Sequence, residues 1–117
     1  MAFSEFETFR YSKTMEDFIN EAGPPKDIAH ELKWKYEINP RNQSVELCEV
    51  RPYFMDASEL VENHIFKARY IKGRKEWLIY WMRADLKWHL YEPAPYADTL
   101  DDVLGVIKED ALCCFFG

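Results

Sequence analysis

The side chains best suited to chemistry are concentrated in one stretch of fifteen residues. Residues 77–91 read WLIYWMRADLKWHLY and contain three Trp, two Tyr, Arg83, Lys87 and His89. Trp81 and Arg83 are two positions apart, so on a strand both side chains point to one face. An indole beside a guanidinium can flank a planar or anionic ligand. The segment therefore predicts a binding platform, which Lys87 and Trp88 would complete from the next strand.

The distribution of charge extends this prediction to neighbouring strands. Residues 63–91 carry seven basic and two acidic residues, whereas residues 1–62 have a net charge of −6 and residues 92–117 one of −5. A meander of strands would bring the basic residues side by side around one concave part of a sheet, where a binding site favours Trp and Arg. The predicted ligand-binding residues are Arg51, Lys67, Trp81, Arg83, Lys87 and Trp88.

The same residues also fit a purely structural interpretation. Large aromatic side chains are the usual filling of a core. In that interpretation the indoles are buried, and Arg83 pairs with Asp85 or Glu49. The sequence leaves both interpretations open.

A second group of residues predicts catalysis as the alternative. Glu46 and Glu49 carry carboxylates of the kind that hold Mg²⁺ in a nuclease, and Lys67 could supply the nearby lysine that this chemistry needs. Glu46 and Glu49 are an odd number of positions apart, so a regular strand sends them to opposite faces and only a bulge between them would bring them together. The alternative function is therefore a metal-dependent, nuclease-like enzyme. Otherwise Glu49 and Arg51 form an ion pair.

Motifs of established mechanism are absent from the sequence. It contains no glycine-rich phosphate loop, no Gly-x-Ser-x-Gly and no His-Glu-x-x-His. Cys48, Cys113 and Cys114 lack the spacing of zinc ligands, and the histidines are scattered. We therefore expect no cofactor and no metal. The leading hypothesis is a binding or adaptor protein that recognises a protein or an anionic ligand and is not an enzyme.

Composition places the chain among globular proteins. Its 117 residues match a single domain spanning residues 1–117. The net charge of −6 argues against a general nucleic-acid binder, because phosphate contacts dominate that affinity. Because the N-terminus is acidic and lacks an apolar core region, we expect no signal peptide, and no uncharged apolar run reaches the roughly 20 residues that span a bilayer. We expect a cytoplasmic protein without a membrane contact, and the sequence leaves its oligomeric state open.

Hydrophobic periodicity predicts an α+β fold, an antiparallel meander of about five strands between two helices. A first helix over residues 5–21 starts at a Ser4–Glu7 capping box and stops at Gly23 in a left-handed conformation. A second helix starts near Thr99. The predicted strands span residues 32–38, 44–51, 64–72, 76–82 and 86–91. Residues 56–62 read as a polar loop or helical turn, and residues 76–82 as a central strand covered on both faces.

Several short stretches distributed along the chain resemble one protein family. They are Pro24-Pro25, residues 44–46, residues 49–52, Lys67-Ala68, Trp77, Tyr80-Trp81, residues 83–89, residues 91–93 and residues 115–117. On these residues the chain resembles an uncharacterised bacterial family, domain of unknown function 3024. The resemblance implies a small stand-alone bacterial protein, and it transfers no activity and no site residue.

Overall fold

The computed structural model describes residues 2–24, 27, 32–53 and 55–109, with the backbone alone for Ala57. Cys113 and Cys114 lie outside the described residues. The helices and the first five strands follow the order expected from the sequence, a short sixth strand is added before the last helix, and all strands are antiparallel to their neighbours. They are α1 (Glu5–Ala22), β1 (Lys33–Asn39), β2 (Ser44–Tyr53), β3 (Asp56–Ile71), β4 (Glu76–Met82), β5 (Trp88–Leu90), β6 (Tyr96–Ala97) and α2 (Leu100–Glu109). The α+β prediction is confirmed.

Helix α1 begins at the predicted capping box. The Glu7 amide donates to Ser4 Oγ, and the Ser4 amide donates to Glu7 Oε1. The prediction of a left-handed stop at Gly23 is wrong, because Gly23 is extended with φ −78° and ψ 176°. Its amide donates to the carbonyl of Ile19, and a Cβ at position 23 would lie 2.5 Å from that oxygen. Glycine is therefore required there by close packing of the backbone.

The strands form a meander in the order β1-β2-β3-β4-β5, and β6 pairs with β4. The interpretation of residues 56–62 as a loop or helical turn is wrong, because they form the first half of β3. They pair with the end of β2, where Pro52 lies opposite Leu60. Pairing between strands outweighs the low strand propensity of this polar segment.

A β-bulge interrupts β3 near its middle. Leu47 pairs with Phe66 but the next residue, Cys48, pairs with His64, so Ile65 is the extra residue. Ile65 and Phe66 are both buried in the core. The bulge reverses the alternation of β3, and so His64 and Lys67 lie on one face although their numbers differ by three.

One face of the sheet is covered by both helices. The core combines Tyr11, Met15 and Phe18 of α1 with apolar residues of α2 and of the facing strands. The expectation that β4 is covered on both faces is wrong for the described residues. Trp77 and Ile79 are buried beneath the helices, but the alternate residues Leu78, Tyr80 and Met82 are only half-buried.

The last strand of the meander is shorter than expected. Leu86 has φ 62°, and its amide donates to the Arg83 carbonyl, so it belongs to the turn that precedes Trp88. A bulky residue in this conformation cannot continue a strand. Helix α2 follows the prediction, with Thr99 Oγ1 accepting from the Asp102 amide. Among the described residues, no helix is long and apolar enough to cross a membrane.

Two glycine substitutions are expected to change stability in opposite directions. Gly23→Ala should lower the free energy of unfolding by about 1–3 kcal/mol, because the methyl group meets the Ile19 carbonyl. Gly105→Ala, in α2 with nothing within 4 Å of the added methyl, should raise it by about 0.5–1 kcal/mol. Urea denaturation followed by circular dichroism measures both. A stabilising effect at position 23 would contradict the packing argument.

Candidate functional site

The sheet ends in a pocket at the junction of β4 and β5. Its volume is about 330 Å³, and its walls come from the ends of the two strands and the segment after β5. The lining residues are Trp81, Arg83, His89, Leu90, Tyr91, Glu92 and Pro93. Trp81 pairs with His89 across the two strands, so both side chains lie on the face that carries the helices. This places an indole and an imidazole at the wall of one cavity.

Arg83 lies over the indole of Trp81 in this pocket. The guanidinium carbon is 5.5 Å from the ring centroid, within the range of a cation–π interaction. Trp81 is half-buried and packs against the core, which holds the indole in position. Arg83 forms no ion pair within 4 Å among the described residues, where the carboxylate of Asp85 is paired with His89 instead. The predicted proximity of Trp81 and Arg83 is therefore observed.

Asp85 closes the turn at the edge of the pocket, and its partner is His89. Asp85 Oδ2 lies 2.9 Å from His89 Nε2, and Asp85 Oδ1 accepts from the Lys87 amide at 3.0 Å. The hydrogen bond to His89 is the main cause that lowers the pKa of Asp85. The charge of Arg83 contributes least to this lowering of the pKa, and among the described residues Asp85 pairs with His89 and forms no ion pair with Arg83 within 4 Å.

The other predicted site residues do not all join Trp81 and Arg83. Trp88 pairs with Met82, so it lies on the opposite face of the sheet, with its ring centroid 5.4 Å from that of His64. Lys67 is on that same opposite face, across from Tyr80. Lys87 is exposed on the turn and is not among the lining residues.

Arg51 lies in the distant half of the β2–β3 hairpin. It is opposite Val61 and pairs with the carboxylate of Glu49. The two side chains share one face of β2, as the strand periodicity predicts, and both remain partly exposed. Of the six predicted residues, the structure brings only Trp81 and Arg83 into contact. Lys67 and Trp88 lie on the opposite face on strands that are not neighbours, Lys87 lies on the turn, and Arg51 lies apart.

The geometry that a nuclease would need is not assembled. Glu46 lies across from Lys67, whereas Glu49 lies across from Asn63 on the other face. The bulge that could have joined the two carboxylates is in β3, so β2 keeps its regular alternation between them. Within the described part of the chain, no group of three or more His, Cys, Asp or Glu side chains is arranged to hold a metal ion.

A contact between Cys48 and His64 was not predicted from the sequence. Cys48 Sγ lies 3.4 Å from His64 Nδ1, and Glu46 Oε1 lies 3.8 Å from the same nitrogen. The bulge at Ile65 creates this contact, and no local signal in the sequence marks the bulge. Burial, followed by the nearby charges of Glu46 and Glu62, raises the pKa of the Cys48 thiol to about 11. The thiol is therefore protonated and a poor nucleophile at neutral pH.

Fold and site together define a small α+β protein with an antiparallel sheet, two helices on one face and a cation–π pocket at the end of the sheet. The chain belongs to the family described as Domain of unknown function (DUF3024), whose model matches residues 3–117. A search of the curated proteins and a search of the solved structures each return no match.

The rate of alkylation should show that folding suppresses the reactivity of the Cys48 thiol. At pH 8.5 in the folded protein, iodoacetamide should modify Cys48 at least about tenfold more slowly than in guanidinium-unfolded protein, because thiolate is the reactive form. The folded pKa lies above its ordinary value near 9, so the thiol favours folding at neutral pH and this contribution is lost as the pH rises towards 11. Peptide-resolved mass spectrometry gives the rate.

The variant Glu46→Gln tests the electrostatic part of this explanation. Removing the carboxylate should lower the pKa of Cys48 and speed its alkylation in the folded protein, without changing the rate in the unfolded protein. Equal rates for Cys48 in folded and unfolded wild-type protein would show that the thiol is not protected.

Proposed function

We propose that this protein is a small cytoplasmic binding protein that holds an anionic, planar ligand in the pocket at the end of β4 and β5. The observation that carries the proposal is the guanidinium of Arg83, stacked on Trp81 without a carboxylate partner among the described residues. Arg83 is exposed, so an anionic ligand can reach its guanidinium, and a charge-assisted hydrogen bond would hold that ligand beside the indole.

The other walls of the pocket support a ligand with an aromatic or flat body. Trp81 and His89 lie side by side, and Pro93 adds an apolar surface. Glu92 brings one carboxylate to the lining, which disfavours a ligand of high negative charge. A cavity of about 330 Å³ lies at the lower end of the range for small-molecule sites. A monoanion with one or two rings fits these features.

An NMR titration with benzoate and with 2-naphthoate, monoanions with one and two rings, tests the pocket. We expect either probe to shift the indole N–H signal of Trp81 and the Nε–H signal of Arg83. Arg83→Ala should weaken binding by about 1–3 kcal/mol, the range for losing a hydrogen bond to a charged group. Glu92→Gln should strengthen binding, because it removes the only carboxylate among the described lining residues.

The matched control is Lys87→Ala. It removes a neighbouring exposed cation that does not line the pocket, so the affinity should stay within a factor of two of wild type if binding depends on geometry. A loss as large as that of Arg83→Ala would show a general charge effect. No shift of either signal with either probe would refute the pocket as a site for such anions.

A further inference from the structure

The face of the sheet opposite the helices, called the open face below, carries no net charge. Residues that lie directly across from each other on neighbouring strands share a face, so the pairing places four basic and four acidic side chains here. The net charge of the chain, −6, therefore lies elsewhere, and α1 and residues 98–109 each hold −3. The charged residues of the open face are Lys33, Lys35, Lys67 and Arg69, and Glu37, Glu46, Glu62 and Glu76.

The sign of the charge changes along the strands, and it changes in opposite directions on β1 and β3. In β1, basic Lys35 precedes acidic Glu37. In β3, which runs in the same direction, acidic Glu62 precedes basic Lys67 and Arg69. Each of the two strands thus presents a basic end and an acidic end on the open face.

A twofold axis would bring these opposite charges together between two copies of the sheet. The axis lies between the stacked open faces, perpendicular to the strands, and passes between the row of Lys35 and the row of Glu37. It lays each strand over the same strand of the second copy in the reverse direction. Lys35 then meets Glu37 of the second copy, and Glu62 meets Arg69 of the second copy.

The same axis matches the apolar half of the open face with itself. Tyr80 lies across from Leu90 in one row, and Met82 lies across from Trp88 in the next. Reversal of the strands places Tyr80 over Met82 of the second copy and Trp88 over Leu90 of the second copy. All four side chains are at least partly exposed in the single chain, so contact would remove apolar surface from water.

Two strongly exposed apolar residues also come together under this axis. Tyr96, across from Leu78, is 50% exposed, and Leu86 in the turn after β4 is 80% exposed. The row of Tyr96 lies one step beyond that of Tyr80, so it falls over the turn that carries Leu86 in the second copy. One symmetry operation therefore accounts for the charges and for the exposed apolar residues of β4, β5 and β6.

The size of the open face indicates a weak dimer. Five strands of about seven residues measure roughly 24 Å by 23 Å, or about 550 Å². A standard interface buries about 800 Å² per partner, and transient ones bury less than about 600 Å². The dissociation constant should therefore be micromolar.

From this double complementarity we propose that two copies of the chain associate through their open faces about this twofold axis. The sheets would stack about 10 Å apart, as sheets do in a β-sandwich. The acidic helices of both copies then lie on the outside, where ions in solution screen their repulsion. The guanidinium of Arg83 and the indole of Trp81 lie on the other face, so this proposal does not depend on the ligand pocket.

Sedimentation equilibrium between about 5 and 500 µM protein tests the proposal, and we expect a monomer–dimer equilibrium. Arg69→Glu should raise the dissociation constant at least about tenfold, because two symmetric contacts become like-charged. The double variant Arg69→Glu with Glu62→Arg should return to within about threefold of wild type, because it exchanges the partners of both contacts. Within one copy the two residues lie roughly 20 Å apart along β3, so such a rescue requires contact between copies.

Two controls on the helical side separate this interface from other associations. Arg10→Glu makes the same change of residue and net charge on exposed α1, and Phe9→Asp replaces a side chain that is 71% exposed there. Each should stay within about a factor of two of wild type. Arg69 and Glu62 are exposed, so their variants should fold, which circular dichroism checks.

Three results would each overturn the proposal. They are a wild-type protein that sediments as a monomer at 500 µM, a control variant that weakens the dimer as much as Arg69→Glu, and a double variant that stays as weak as Arg69→Glu alone.

Discussion

The buried indole of Trp77 connects the first helix and the segment before it to the sheet. Its indole is 2% exposed and contacts the rings of Phe3, Tyr11 and Tyr70, with centroid distances of 5.2–5.9 Å. These three rings come from the segment before α1, from α1 and from β3. Aromatic pairs in such edge-on and tilted arrangements each add about 0.5–1.5 kcal/mol beyond their burial. The cluster therefore sets the position of α1 on the sheet, and the amide of Phe3 adds a hydrogen bond to the Pro40 carbonyl.

Once the side chain of Trp77 points towards the helices, the face on which every other side chain of β4 lies is fixed. Side chains alternate along a strand, so Ile79 and Trp81 follow Trp77 and the intervening Leu78, Tyr80 and Met82 point the other way. Trp81 lies at the end of the covered face, where it becomes a wall of the pocket. Tyr80 lies on the opposite face of the sheet, across from Lys67. The position of the pocket wall is thus a consequence of one buried indole and a period of two.

Elements defined by local patterns could be predicted from the sequence. The capping box and the apolar spacing of Met15 and Phe18 mark α1, and the bounds of β4 agree with residues 76–82. The proximity of Trp81 and Arg83 also follows from their spacing alone, because side chains two positions apart on a strand lie on the same face. In each case the residues that predict the feature lie within a few positions of the feature itself.

Features that depend on pairing between distant segments could not be predicted. The polar residues 56–62 become a strand only because the end of β2 lies beside them. The bulge at Ile65 reverses the alternation of side chains between the two faces of β3. This places His64 beside Cys48 and Trp88. The turn at Leu86 separates Trp88 from Trp81, so a continuous aromatic segment divides between two faces. Register between strands decided each of these outcomes.

The distribution of charge shows why a net value describes this molecule poorly. A total of −6 argues against anionic partners only when the charges are mixed over the surface. Here the acidic residues of α1 and α2 lie on one side of a sheet, and ions in solution screen charges beyond about 8–10 Å. A ligand at the opposite face is therefore influenced mainly by the side chains of that face, where Lys67 and Arg69 lie among the carboxylates of Glu46, Glu62 and Glu76. Local charge, and the face on which each side chain lies, determine which ligands this sheet can accept.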